Sequence, residues 1–276
     1  MSDTASIKNT RFRIGKFEWL VSDENQSESV INLIGRISRD KTGTEHGLIQ
    51  KRKGHRSWVE EEGRDRFFVK WYFPRNIQNR LTYFFRTNRA SVEFTNLQSL
   101  RRLGVPVPDI FAYTERRFLG GWTESYMIFR SYDSYISLRL VRRLSDLLGC
   151  TKVLAQEVSS MHRKGVYFGD LHAGNIMVNQ LKTGDQSLTK ILFVDFDKTR
   201  LYPDLPENLW IDDLARLNGF IDIGIEYRMR FLFAYCRLRK LNDVRKVYRL
   251  INKLTELLWK NRKEKHGLDE RKYPEV

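Results

Sequence analysis

GVYFGDLHAGNIMVN (165–179) runs through the polar stretch QLKTGDQSLTK (180–190) into ILFVDFDKTR (191–200), and the two outer segments decide the fold. Each joins an apolar run to oxygen-bearing side chains. IMV (176–178) and ILFV (191–194) have the length and branched content of buried strands and pair across the polar stretch as a hairpin. That pairing brings Asp195, just past the second strand, beside Asn175, just before the first. The D-x-x-x-x-N spacing from Asp170 to Asn175 makes a short loop that sends the carboxylate one way and the amide the other. Phosphoryl transfer from ATP needs a carboxylate to orient or deprotonate the attacking hydroxyl, and carboxylate and amide oxygens to hold Mg²⁺. Asp170 reads as the catalytic carboxylate, and Asn175 and Asp195 as the Mg²⁺ ligands. Taken singly, an aspartate in a loop serves equally as a cap or turn residue; the joint pattern carries the chemistry.

The same chemistry asks for a lysine on an upstream strand and a glutamate on the helix after it, because that ion pair positions the phosphates. RFFVKWYF (66–73) alternates apolar and charged residues around Lys70 between Gly63 and Pro74, as a strand does. ASVEFTNLQSLRRLG (90–104) puts Val92, Leu97, Leu100 and Leu103 on one helical face and stops at Gly104, with Pro106 beyond. Glu93, near its start, either holds Lys70 or complements the helix N-terminus. KRKGHRS (51–57) is the expected turn over the nucleotide, with Gly54 at its tip. There Lys51, Arg52, Lys53, His55 and Arg56 supply charge to phosphates or form a solvated basic tip.

The order Lys70, Glu93, GVPVP (104–108), GDLHAGN (169–175), VDFDKTR (194–200) and LARLNGF (214–220) resembles the lipopolysaccharide core kinases of the Kdo/WaaP family across residues 45–235. The long insert FPRNIQNRLTYFFRTNRAS between lysine and glutamate, and DFD in place of DFG, are the traits most specific to it. GDLHAGN alone is shared with aminoglycoside and choline kinases. The resemblance implies a protein-kinase-like fold, ATP and Mg²⁺ as cofactors, and a lipid-linked core oligosaccharide, bearing Kdo or heptose, as acceptor. It assigns Asp170 as base or orienter, Asn175 and Asp195 to the metal, and Lys70 with Glu93 to the nucleotide phosphates. No G-x-G-x-x-G precedes Lys70, Phe168 and Gly169 replace the usual His-Arg, and no A-P-E follows DFD, which argues against a protein substrate. His172 either contacts the transferred phosphoryl group or bonds neighbouring backbone. Asp197 binds a second metal, orients the loop or caps a turn. A soluble small-molecule kinase, and a non-catalytic scaffold on the same fold, are the rival readings.

On this basis the chain is expected to be α+β and two-lobed: a polar lead-in over 1–45 with one short helix near SESVINLIGRI, a small antiparallel-sheet N-lobe over 46–130, and a mainly helical C-lobe over 131–276. ESYMIFRSY (124–132) reads as a buried strand running into the adenine-binding hinge. Helices are expected over 144–165, closing before the catalytic loop, and over 208–221, where Asp212 or Asp213 braces that loop or serves as an N-terminal helix acid. Met161 and His162 read as packing. In 241–265, Val244, Val247, Leu250, Ile251, Leu254, Leu257 and Leu258 form an apolar stripe, with Arg245, Lys246, Arg249, Lys253 and Lys260 off it. That face is either solvated or in contact with an anionic surface.

Forty-nine Lys and Arg against thirty-four Asp and Glu leave a net charge of +15, which favours polyanionic partners. There is no finger spacing, helix-turn-helix cue or RNP-type motif, so no specific nucleic acid is expected. An anionic membrane surface, worth about 1 kcal/mol per nearby Lys or Arg, is the expected partner. Arg86, Arg89 and Arg200 are candidate acceptor-binding forks for sugar carboxylates and phosphates. The five histidines lack zinc spacing, and Cys150 and Cys236 fit buried thiols in a reducing compartment. With no apolar stretch approaching twenty residues, the expected location is cytoplasmic, peripheral at the cytoplasmic face of the inner membrane.

Overall fold

The computed structural model describes residues 9–23, 26–40, 48–52, 54–74, 88–118, 121–141, 144–179, 190–220 and 224–266. The chain divides into two compact units, Met1–Asp133 and Ser134–Val276, where the sequence placed the joint near Arg130. The architecture is α+β.

The first unit is one seven-stranded antiparallel sheet. Its strands are β1 (Asn9–Ile14), β2 (Phe17–Ser22), β3 (Leu48–Arg52), β4 (His55–Glu62), β5 (Asp65–Tyr72), β6 (Ile110–Phe118) and β7 (Gly121–Arg130), in the order β1-β2-β6-β7-β5-β4-β3. Among the described residues two helices accompany them: α1 (Glu28–Asp40) and α2 (Arg89–Arg102). The period of two along β5 sorts its side chains. Phe67 and Val69 enter the core with Trp19, Val21, Trp58, Phe111, Tyr126 and Ile128, and α1 adds Val30, Leu33, Ile34 and Ile37 to the same cluster. Lys70 and Tyr72 both meet Glu93 of α2.

Residues 1–45 therefore depart from the expected lead-in with one short helix. Two strands precede the helix, and β2 pairs with β6 from Glu18↔Glu115 to Val21↔Ala112, inside the sheet. Phe17, Trp19 and Val21 alternate with charged or half-exposed neighbours, so a composition that reads as polar buries one complete face. Trp19 Nε1 donates to Ser38 Oγ on α1 at 2.9 Å, which ties strand and helix together.

The second unit carries β8 (Tyr135–Ser137), β9 (Val166–Tyr167), β10 (Ile176–Asn179), β11 (Lys190–Phe193) and β12 (Arg200–Leu201). With these come α3 (Leu144–Arg163), α4 (Glu207–Phe220), α5 (Ile225–Leu238) and α6 (Val244–His266). The expected hairpin is present: β10 and β11 pair antiparallel from Ile176↔Phe193 to Asn179↔Lys190, although its tip, 180–189, lies outside the described residues. A two-stranded ladder, Arg200↔Tyr167 and Leu201↔Val166, holds the stretch after DFD against the stretch before Asp170. Gly165 permits this closeness: its φ is +76°, and a Cβ there would lie 1.8 Å from the Tyr202 carbonyl oxygen. Cys150 and Cys236 are both buried, and burial pushes the Cys236 thiol up to about 11.

Candidate active site

In the first unit, β5 and α2 bring Lys70 and Glu93 together. Lys70 Nζ donates to Glu93 Oε1 at 2.7 Å, and the glutamate side chain is 2% exposed. Helix α2 is capped by Asn88, whose side chain accepts from Ser91 N at 2.9 Å, while its Nδ2 donates to Glu115 Oε2 at 2.6 Å. The helix start is thus bonded to β6, and Glu93 lies one turn further along.

Tyr72, two residues past Lys70 and on the same face, donates its hydroxyl to Glu93 Oε2 at 2.5 Å. Glu93 is therefore held at both oxygens. The His55 ring stacks on Tyr72 at 5.7 Å and bonds Gln50 Oε1 through Nε2 at 3.0 Å, which links the β3–β4 hairpin to the ion pair. Sequence reasoning overlooked Tyr72, because a tyrosine in a strand reads as packing until its partner is known. Tyr72→Phe keeps the ring and removes one donor from a buried carboxylate, a loss of about 1.5–3 kcal/mol. We expect lower denaturant stability by that amount and a fall of about tenfold in kcat/KM for ATP as Lys70 loses its fixed geometry. Unchanged kinetics would reject a positioning role for Tyr72.

In the second unit, hydrogen bonds to the backbone tie Asp170, Asn175 and Val194 together, with Asp195 next in the chain. Asn175 Nδ2 donates to the Asp170 carbonyl at 3.0 Å, and Val194 N donates to the Asn175 carbonyl at 3.0 Å. Asp195 follows directly, with φ +73°, in the left-handed region that aspartate tolerates better than most residues. Such backbone strain, about 1–3 kcal/mol, collects where a side chain must be aimed. Gly169 also has φ +79°, and a Cβ on it would sit 2.7 Å from the Lys198 carbonyl oxygen, so the loop packs directly on the DFD segment.

The Asp170 carboxylate is oriented by cations. Lys198 Nζ donates to its Oδ2 at 2.7 Å, and Arg216 NH1 on α4 stands 3.9 Å from Oδ1. Neither cation was among the expected site residues; VDFDKTR shows Lys198 next to the motif, but only folding brings it back onto Asp170. His172 Nδ1 accepts from Gly174 N at 3.0 Å, the local backbone bond that was one of its two readings. Arg200 lies exposed on β12 and Arg89 is exposed at the start of α2. Arg56 stacks over Trp71 and Phe73 at 5.5 and 5.8 Å. Arg86, Lys53 and the side chains of Lys51 and Arg52 lie outside the described residues.

Asp213, one of the two bracing candidates on α4, is fully buried and accepts from Phe168 N at 2.7 Å and Gly169 N at 2.8 Å. Asp212 instead takes the Tyr167 hydroxyl at 2.6 Å and Arg216 Nε at 2.7 Å. Behind Asp213 stands His162, buried, with Nε2 3.4 Å from Asp213 Oδ2 and Nδ1 2.8 Å from the Tyr235 hydroxyl. A tyrosine that donates to Nδ1 leaves the Nε2 proton aimed at Asp213. Burial raises the Asp213 carboxyl above its usual range, opposed by His162 and the two amides. Burial lowers the His162 pKa, with Arg239 acting in the same direction and Asp213 against it.

Folded His162 thus resists a proton that the unfolded chain accepts below about pH 6.5. The unfolded state binds more protons there, so the stability tied to neutral His162 is present above that pH and lost as pH falls below it. His162→Gln should show a shallower loss of stability than the parent between pH 7.5 and 5.5 by urea denaturation. Equal slopes would exclude this titration.

The oxygen donors suit a hard cation. Asn175 commits its Nδ2 to the loop, which leaves Oδ1 as its acceptor end, and the Asp195 carboxylate follows the paired strand. No group of three or more His, Cys, Asp or Glu gathers among the described residues. A pair of oxygen ligands fits Mg²⁺, which keeps water and substrate phosphates in its remaining positions.

A model of the lipopolysaccharide kinase (Kdo/WaaP) family matches residues 41–227. No curated protein sequence matches the chain. Among solved structures, WaaP in complex with acyl carrier protein is similar, with TM-score 0.58 and 20% identity over 77% of this chain and 88% of that one. The Rio2 kinase–ADP/Mg²⁺-phosphoaspartate complex from Chaetomium thermophilum is also similar, with TM-score 0.47 and 14% identity over 90% of this chain and 81% of that one. The WaaP likeness shows a protein-kinase-like fold. With well over half of its length matched by the family model, the chain belongs to the lipopolysaccharide kinase (Kdo/WaaP) family, phosphotransferases that act on sugar hydroxyls.

Proposed function

We propose that this lipopolysaccharide kinase transfers the γ-phosphoryl group of ATP to a hydroxyl of Kdo or heptose in a lipid-linked inner-core oligosaccharide, at the cytoplasmic face of the inner membrane. The observation that carries the proposal is the hydrogen-bonded group of Asp170, Asn175 and Val194, with Asp195 next in the chain. Lys198 sits on Asp170 Oδ2, and Arg216, 3.9 Å from Oδ1, is beyond hydrogen-bond distance, so Oδ1 is the oxygen that meets the acceptor in this proposal.

In this reading the acceptor hydroxyl is oriented by Asp170 Oδ1 and gives it the proton as its oxygen attacks the γ-phosphorus; the bond to the β–γ bridging oxygen breaks and ADP leaves. Lys70, held by Glu93 and Tyr72, binds the nucleotide phosphates. Asn175 and Asp195 are the residues that would hold Mg²⁺, whose charge would offset that of the nucleotide phosphates when bound. Lys198 fixes the Asp170 rotamer through a charge-assisted hydrogen bond.

The test is transfer of labelled γ-phosphate from Mg·ATP to a glycolipid extract of inner membrane, with Asp170→Ala run beside the parent. Label in core sugar from the parent alone supports the proposal, and hydrolysis then distinguishes Kdo from heptose. ATP binding without label in any glycolipid would reject a lipid-linked acceptor.

A further inference from the structure

The catalytic loops, the ion pair and the brace leave the outer faces of α5 and α6 without a role. On α6, the exposed residues from Arg245 to Lys260 are Arg245, Lys246, Arg249, Lys253, Glu256, Leu257 and Lys260, five cations to one carboxylate. At 100° per residue they fall on one stripe, about 22 Å long. Lys246 stands 3.8 Å from Glu207, whereas Arg245, Arg249, Lys253 and Lys260 make no ion pair among the described residues. Leu257, which its spacing assigns to the apolar stripe, is 48% exposed at the edge of these cations, while Val247 and Ile251 are buried.

Helix α5 repeats the chemistry with different residues. It buries Tyr227, Leu232, Tyr235 and Cys236 and turns Phe233 outward, 56% exposed. Arg230 and Arg237, three residues before and four after, are exposed on the same face of the helix. A lone exposed apolar residue is ordinary. An apolar side chain set among exposed cations, on two successive helices, is the pattern of helices that lie on a membrane surface. Nucleic acid would use the cations but draws nothing from an outward Leu257.

We infer that the outer faces of α5 and α6 dock the protein on an anionic phospholipid bilayer, the cations meeting headgroup phosphates while Phe233 and Leu257 enter the boundary with the acyl chains. The inference deepens the proposed function and rests on its lipid-linked acceptor: a bilayer-bound enzyme meets that acceptor at the surface where it is anchored. No helix among the described residues is long and apolar enough to cross a membrane.

The test is co-sedimentation of the full chain with vesicles of phosphatidylcholine alone or mixed with phosphatidylglycerol. The parent should bind the mixed vesicles and release in high salt. Lys253→Gln with Lys260→Gln should weaken partitioning about 25-fold, at about fivefold per cation. Phe233→Ser should weaken it about tenfold and leave the salt dependence in place. Circular dichroism of each variant verifies the fold. Phosphorylation of a deacylated, water-soluble core acceptor should stay at the parent level, since none of these residues belongs to the catalytic group.

Equal vesicle binding by parent and variants, or equal binding of the parent to both vesicle types, would overturn the docking surface. So would a parent that ignores vesicles but retains an acidic protein that the variants lose. Failure of the parent on both the deacylated and the lipid-linked acceptor would instead strike the kinase proposal, and the vesicle result would still decide the surface.

Discussion

Asp170→Ala is expected to lower kcat by about 10²- to 10⁴-fold, with the thermal transition and ATP affinity near those of the parent. The loss is chemical because the loop is held by other groups: Asn175 Nδ2 bonds the Asp170 backbone carbonyl, which alanine retains, and Asp213 anchors the two amides before it. Among the described residues the carboxylate itself meets Lys198 at 2.7 Å and Arg216 at 3.9 Å, and the Lys198 head is half-exposed, so water can replace it there. Removing a partly exposed ion pair costs at most about 1 kcal/mol of stability. Single-turnover phosphate transfer separates the chemical step from binding. Turnover within severalfold of the parent would remove Asp170 from the role of base or orienter.

Asp213→Ala should act mainly on the fold. Its side chain accepts from Phe168 N and Gly169 N in a fully buried site, where bulk solvent does not reach either amide. Leaving two buried donors unsatisfied costs about 1–3 kcal/mol each. A total of about 3–5 kcal/mol is a large share of the 5–15 kcal/mol typical of a domain. The melting temperature should fall by roughly 10 °C, read by calorimetry. Asp213→Asn keeps one acceptor oxygen and should lie between alanine and the parent. A melting temperature within a few degrees of the parent for the alanine variant would show that the loop is held elsewhere. Where the variant remains folded, a drop in kcat larger than the drop in ATP affinity would mark the brace as setting Asp170's position.

These two aspartates differ in how they could be read. Asp170 could be singled out because the pattern that proposes it is written within thirty residues: the five-residue step to Asn175, the paired strands and Asp195 are all local. Lys70 and Glu93 were legible as a strand lysine and a helix glutamate, twenty-three residues apart, required by the same chemistry; they meet at 2.7 Å. Asp213 could only be offered beside Asp212. Adjacent residues on a helix point about 100° apart, and which one enters the core depends on how α4 packs. The strands β1 and β2 were missed for a related reason. Their charged positions, Arg11, Arg13 and Glu18, lie on the face away from the core, so composition alone hid a complete buried face.

By itself, then, the sequence determined what depends on short-range order: the loop from Asp170 to Asn175, the hairpin that sets Asp195 beside Asn175, the lysine strand, the helices and the excess of positive charge. Tertiary structure alone decided which partners meet across long separations. It put Tyr72 on Glu93, Lys198 on Asp170, His162 and two loop amides on Asp213, and it turned Phe233 and Leu257 outward. Periodicity states which residues share a face of their own element, but the other side of each contact is chosen by packing, and no residue carries the identity of a neighbour it reaches only after folding.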